Sequence, residues 1–284
     1  MTFEVLDERF NACIKPTAKL DHLFDGCRWA EGPAYFPAHR ALVWSDIPND
    51  RMLRYDEAED RVGSFREPAG YTNGHTVDRQ GRLVSCEHGA RRVTRTEHDG
   101  TITVLADRYD GKPLNSPNDV VVRSDGAVFF TDPSYGIEGW YEGYAAEPEL
   151  PCNVYRWHDG ELTVVADDFD RPNGLAFSLD ERELYVSDTG VKTMRVLDLE
   201  RGSSREFATC TVGGFDGFRL DEAGRIWTSA GDGVHVYDPD GTLIGKVLVP
   251  EIVANVAWGG RKRNRLYICA TTSLYAILLP VRGA

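Results

Sequence analysis

The stretch SPNDVVVRSDGAVFFTDPSYG, Ser116 to Gly136, sets a polar Pro-Asn-Asp group against two apolar runs, Val120 to Val122 and Val128 to Phe130, joined by Ser124-Asp125-Gly126. β-Branched and aromatic residues on either side of an Asp-Gly step predict an antiparallel hairpin, with Asn118 at its mouth. A lone asparagine in that place closes a turn. This one has counterparts along the whole chain, and their recurrence decides the fold.

The same order of polar residue, strand, turn and strand begins at Glu31 (EGPAYFPAHRALVWSD), Asn73 (NGHTVDRQGRLVSCEHG), Asn118, Asn173 (NGLAFSLDERELYVSDTG), Asp216 (DGFRLDEAGRIWTSAGDG) and Asn255 (NVAWGGRKRNRLYICATT). Successive steps are 42, 45, 55, 43 and 39 residues. A period in the forties with closely spaced turn residues and little helical periodicity predicts a four-stranded antiparallel sheet repeated around an axis. The expectation is an all-β six-bladed β-propeller with a central channel, residues 1–284 forming one domain. Blade five shows the strand count: Phe218 to Leu220, Arg225 to Trp227, Val234 to Tyr237 and Leu243 to Val247, with Gly224, Gly233 and Gly241 in the turns. The closing blade is expected to borrow its outer strand from the N-terminal segment near Lys19 to Phe24, which leaves no sheet edge open. A β-sandwich is the competing architecture, but it gives six in-phase copies no structural cause.

Bulk properties agree with such a core. The chain has 284 residues, 42% of them hydrophobic and 11% aromatic, enough to bury a substantial interior. Thirty-two basic against 45 acidic side chains give a formal charge of −13, which argues against nucleic acid as a partner and suits a cation site. No apolar run reaches the length of a membrane helix. The N-terminal MTFEVLDERFNACIK carries acidic residues where a secretory signal needs a basic start, so a soluble cytoplasmic protein without membrane contact is expected. Cys13, Cys27, Cys86, Cys152, Cys210 and Cys269 show no close ligand spacing; neither a zinc knuckle nor a disulfide framework is indicated.

In a propeller the repeated polar positions Glu31, Asn73, Asn118, Asn173, Asp216 and Asn255 ring one end of the channel. The ends of the second strands, Asp46, Glu87, Asp132, Asp188, Ala230 and Thr271, are expected to form a second ring on the same face. Carboxylates and amide oxygens aimed at one small volume repel or go unsatisfied unless a hard divalent cation joins them. Ca²⁺ is expected ahead of Mg²⁺, Mn²⁺ or Zn²⁺, because oxygen donors outnumber nitrogen and sulfur. Water filling a channel of turn-capping side chains is the alternative.

WAEGPAYF at 29–36, SPNDVVVRSDGAVFFTDPSYG, RPNGLAFSLDERELYVSD and FDGFRLDEAGRIWTS resemble the gluconolactonase and senescence-marker-protein (regucalcin) family, from about Trp29 to near Val256 and in the family's order. The bacterial sugar-lactonase branch is the nearer likeness. The resemblance implies a metal-dependent hydrolase that opens a sugar (aldono) lactone such as gluconolactone, with one divalent cation in the channel. Carried over motif by motif, Glu31 of Glu-Gly-Pro, Asn173 of Pro-Asn-Gly and Asp216 of Asp-Gly-Phe match the metal ligands. Asn118 of Pro-Asn-Asp matches an asparagine that binds metal or substrate. Ser116 stands where the animal members carry an arginine, so that branch's substrate contacts do not transfer.

Asp216 combines a ligand position with a carboxylate able to accept a proton and is the expected general base, with Glu87 or His88 as competitors. Around a sugar lactone, Asn73, His75, Glu87, His88, Asn118 and Tyr135 are the expected contacts. The longest step, between blades three and four, holds GIEGWYEGYAAEPELPCN. Its Trp140, Tyr141 and Tyr144 form either a flap over the mouth or a loop packed on its own blade. Two other function classes stay open: a phosphotriesterase or diisopropylfluorophosphatase-type hydrolase on the same propeller, and a non-catalytic calcium-binding propeller.

Overall fold

The hairpin at Asn118 forms in register, Val120, Val121 and Val122 opposite Phe130, Phe129 and Val128, in a computed structural model that describes residues 2–284. It is the inner half of one of six four-stranded antiparallel blades. The inner strands are Ala30–Phe36, Thr72–Val77, Val120–Val122, Pro172–Phe177, Phe218–Leu220 and Val253–Gly259. Each touches the next in that order, and Val253–Gly259 returns to Ala30–Phe36, so the sheets close around one axis. The expected closure is present: Leu20–Asp25 pairs antiparallel with Ser273–Leu278 and completes blade six. One addition has no sequence signal. Phe3–Val5 pairs with Leu243–Leu248 as a fifth strand of blade five, a run too short to display an alternation.

Six hydrophobic clusters fill the six wedges between neighbouring blades. Val84, Cys86 and Val93 of blade two meet Val120, Val128 and Phe130 of blade three; Trp44 and Leu42 of blade one meet Tyr267 and Cys269 of blade six. Because a blade buries both faces, its second strand cannot alternate polar with apolar, and Ala41–Asp46 and Val128–Asp132 are buried throughout. Among the described residues, all six cysteines are free, and no helix is long and apolar enough to cross a membrane.

Near the axis the blades are tied by polar bonds. The Ser45 hydroxyl donates to the Asn73 carbonyl (2.9 Å), Thr131 to that of Asn173 (2.7 Å) and Ser187 to that of Asp216 (2.7 Å). In each case a second strand fastens the polar residue of the following blade. Glycine after the polar residue makes this approach feasible: a Cβ on Gly174 would overlap the Asp216 carbonyl and the Gly217 Cα, and one on Gly74 would overlap Asn118 and Asp119.

Gly174→Ala is therefore expected to lower unfolding stability by about 1–3 kcal/mol, since the obstruction is backbone that cannot turn aside. Gly139→Ala, with open space around the new methyl, should change it by less than about 0.5 kcal/mol. Urea unfolding of both variants checks the contrast.

Candidate active site at the channel mouth

Glu31 lies in the inner strand of blade one, and Asp216 in the turn that precedes the inner strand of blade five. The Asp216 backbone is held at both ends, its N–H donating to Ser229 Oγ (2.7 Å) and its carbonyl accepting from Ser187. The two carboxyls share a hydrogen bond. Glu31 also accepts from the Gly32 N–H and from the Asn255 amide. Burial, then the charges of Asp216 and Asp119, hold the Glu31 carboxyl well above the usual carboxylate range. Burial, then the Asp119 charge, push Asp216 up to about 8 against the opposing hydrogen bonds of Glu31 and Asn173.

Amides complete the cluster. Asn173 contacts Asp216 and donates through Nδ2 to Thr189 Oγ1 (3.1 Å). Asn118 is fixed by its main chain, donating to Thr131 (2.8 Å) and accepting from Gly74 (2.7 Å). Its side-chain amide makes no hydrogen bond among the described residues. Tyr135 stands beside Asn173, Thr189 and Asp216, its buried hydroxyl making no well-formed hydrogen bond among the described residues and its ring under the Arg171 guanidinium at 5.2 Å. Ser116 serves this turn, donating to the Pro133 carbonyl (2.6 Å) and accepting from the Gly136 N–H (2.9 Å).

His88 and Asn73 form the wall toward the insertion. The Glu142 carbonyl faces His88 Nδ1 (3.1 Å) and can only accept, so Nδ1 carries the proton and Nε2 takes the Asn73 amide at 3.3 Å. Burial holds the ring down at about 4, a neutral imidazole with its lone pair engaged.

Several expectations are corrected. His75 does not reach the mouth: both ring nitrogens lie 2.8 Å from the hydroxyls of Ser45 and Ser85, buried between blades one and two. Glu87 is turned away from the channel, one oxygen on Arg92 Nε (2.7 Å) and the other on Thr94 Oγ1 (2.8 Å). The second ring does not converge either. Asp46 accepts from the Arg28 N–H (2.8 Å) and pairs with Arg51, Asp132 accepts from Asn115, and Asp188 accepts from Asp170 and Arg171. These carboxylates cap the chain entering their own blade, where free N–H groups wait. Trp140, Tyr141 and Tyr144 are exposed, and Tyr144 rests edge-on against Tyr71 at 5.3 Å.

Asp119 was missed, although Pro-Asn-Asp displays it. It accepts from the Val120 N–H (2.8 Å) and faces Arg219 Nη1 at 3.4 Å. Arg219 lines a cavity of about 540 Å³ at the opposite end of the channel, so this pair lies between that cavity and the carboxyl cluster. Among the described residues no three His, Cys, Asp or Glu side chains gather as a ligand set. Here two touching carboxyls instead meet the side-chain amides of Asn173 and Asn255, and carboxylate and amide groups are the ligand types a hard cation takes.

The description SMP-30/Gluconolactonase/LRE-like region matches residues 29–272. The gluconolactonase of Zymomonas mobilis subsp. mobilis is 30% identical over 95% of this chain and 83% of its own length. Pentonolactonase XacC of Haloferax volcanii is 32% identical over 85% of this chain and 81% of its own length. A solved gluconolactonase from Xanthomonas campestris superimposes with a TM-score of 0.93 at 40% identity, covering 99% of this chain and 95% of that one.

A carboxyl whose folded pKa is raised contributes stability below its unfolded value near 4, and this is lost as pH climbs through the folded value. For Asp216 the loss runs from about 4 to about 8. Added Ca²⁺ should therefore raise the melting temperature of chelator-treated protein more at pH 8 than at pH 5, where protons already occupy the carboxyls. Glu31→Gln should remove most of that Ca²⁺ response. Differential scanning fluorimetry with EDTA or Ca²⁺ at both pH values measures it.

Proposed function

The chain belongs to the SMP-30/gluconolactonase/LRE-like family, and from that premise we propose that it is a lactonase that opens an aldonolactone such as gluconolactone to the aldonic acid. The observation that carries the reading is the meeting of the Glu31 and Asp216 carboxyls with buried amides at the channel mouth. Glu31, Asn173 and Asp216, with Asn118 beside them, would hold one divalent cation, Ca²⁺ first among the candidates. Such an ion, when bound, supplies Lewis acidity toward the lactone carbonyl and offsets the negative charge that this mouth concentrates.

The chain's own groups do the rest. In its ionised form, which a cation bound beside it would favour, Asp216 accepts the proton of the attacking water, held in place by the Ser187 and Ser229 hydroxyls on its backbone. Asn118 presents an unengaged amide to the oxygens of a polyol ring, and Tyr135 packs beside Asn173 and Thr189. Asn73 and His88, locked to each other, shape the side of the pocket next to the insertion. Sugar lactones suit such a surface because a buried donor left without an acceptor is costly, and a ring bearing several hydroxyls satisfies more of them than an apolar ester does.

Asp216→Asn keeps an oxygen for the cation but cannot act as a base near neutral pH. Its turnover of gluconolactone and pentonolactones in a pH-stat is expected to fall by roughly 10²-fold or more, with weakened but measurable Ca²⁺ binding. Near wild-type turnover in this variant removes Asp216 as the base. Wild-type protein that opens no aldonolactone, yet hydrolyses an organophosphate in the presence of a divalent cation, moves the function to the phosphotriesterase class. Tyr135→Phe should raise KM more than it lowers kcat.

A further inference from the structure

We propose that Glu142, carried to the channel mouth by the insertion between blades three and four, donates the proton to the ring oxygen of the lactone as its C–O bond breaks. The inference rests on the lactonase reading. The insertion is docked at several points. His88 Nδ1 donates to the Glu142 carbonyl (3.1 Å), and the Ala146 N–H to the Ile137 carbonyl (3.0 Å). A Cβ on Gly136 would overlap the His88 ring, and one on Gly143 would overlap the Gly136 carbonyl. Two glycines thus let the segment lie directly on His88.

Within it the side chains are arranged against the habit of a solvated loop. Trp140 is 75% exposed and Tyr141 56% exposed, while the acidic Glu142 between Tyr141 and the buried Gly143 is only partly accessible. Glu138, its nearest acidic neighbour in the segment, points out to Arg171 (2.9 Å) and Ser134 (2.8 Å). No donor among the described residues reaches the Glu142 carboxyl, and it lies close enough to Asp216 for their charges to interact. The titratable and charged groups around it are Asp216 of blade five, His88 of blade two beneath its carbonyl, and Glu138 with its partner Arg171. Burial and the Glu138 charge push Glu142 up to about 7, so roughly half of the molecules hold a proton there in neutral solution.

The two carboxyls divide the reaction. As the water oxygen bonds to the carbonyl carbon, Asp216 takes one of its protons. The ring C–O bond then breaks with its electron pair on oxygen, and the Glu142 proton passes to that oxygen to make the new hydroxyl. The proton held by Asp216 leaves through solvent, and Glu142 is reprotonated from it. One water is consumed and no other reactant is needed. An alkoxide is a poor leaving group, which gives a positioned acid its value.

Glu142→Gln keeps the shape and removes the acid. Its kcat/KM on an aldonolactone, corrected for spontaneous hydrolysis, is expected to fall at least about 10-fold. Relative to Glu142→Gln, in which Asp216 titrates alike, the wild-type rate should decline as pH rises through the neutral range, and the variant should lack this step. Glu142→Asp should retain the step at reduced rate. With dihydrocoumarin, whose phenolate leaves without a proton, Glu142→Gln and wild type should agree within about threefold. An active wild type whose neutral step survives in Glu142→Gln, or equal losses on both lactones, overturns the proposal and leaves the lactonase reading standing. A wild type that opens no aldonolactone overturns that reading first. Melting temperatures of the variants report whether the insertion has been disturbed.

Discussion

Everything at the channel mouth depends on how each blade's polar residue is tied to the blade before it. A side chain at the start of an inner strand sits where the chain enters the sheet, a place that ordinarily frays. Here the carbonyls of Asn73, Asn173 and Asp216 each accept a hydroxyl from the preceding blade. One such bond is worth only about 1 kcal/mol net, but leaving a buried carbonyl unpaired costs more than that. The bonds therefore specify position more than they add stability. They make the relative placement of Glu31, Asn173 and Asp216 a property of the closed ring.

That rigidity forces like charges together. In an open loop Glu31, Asp119 and Asp216 would move apart. Held by the ring, they keep their mutual repulsion, and protons or a cation must resolve it. The protein meets part of the cost from below, where Arg219 reaches Asp119. Among the described residues it leaves Glu31 and Asp216 without a basic partner, and their raised proton affinities follow from burial and then from the neighbouring carboxylates that no such partner offsets. A structural ion pair would have relaxed the strain and also removed the reactivity. The selective neutralisation of Asp119 is better explained by a site that must keep its other two carboxyls available.

The fold was legible because a propeller writes the same constraint six times. Polar residue, strand, turn and strand recur wherever a blade begins, and the missing outer strand of blade six could be inferred from the need to close an edge. The part of the inner ring in which Glu31, Asn173, Asp216 and Asn255 meet was legible for the same reason. The second ring was not. Asp46, Asp132 and Asp188 have the spacing expected for a common face, but each finds N–H groups of its own entering loop nearer than the axis. Sequence position gives the end of a strand, and local donors decide which way its side chain turns. His75 failed similarly, captured by Ser45 and Ser85 in the wedge between two blades.

The insertion shows where pattern reading stops. Trp140, Tyr141 and Tyr144 are the residues of the segment that suggest a flap over the mouth, yet they are exposed, because the contacts that seat the segment are made by its smallest residues and by main-chain atoms. Gly136 and Gly143 fix its height above His88, and the Glu142 carbonyl fixes its rotation. With the backbone set in this way, Glu142 is left less accessible than Trp140, Tyr141 and Tyr144 around it. An acidic residue among aromatics in a long loop carries no signal of its own. It acquires one only when the neighbouring glycines are seen to be spacers that bring the loop down to the mouth.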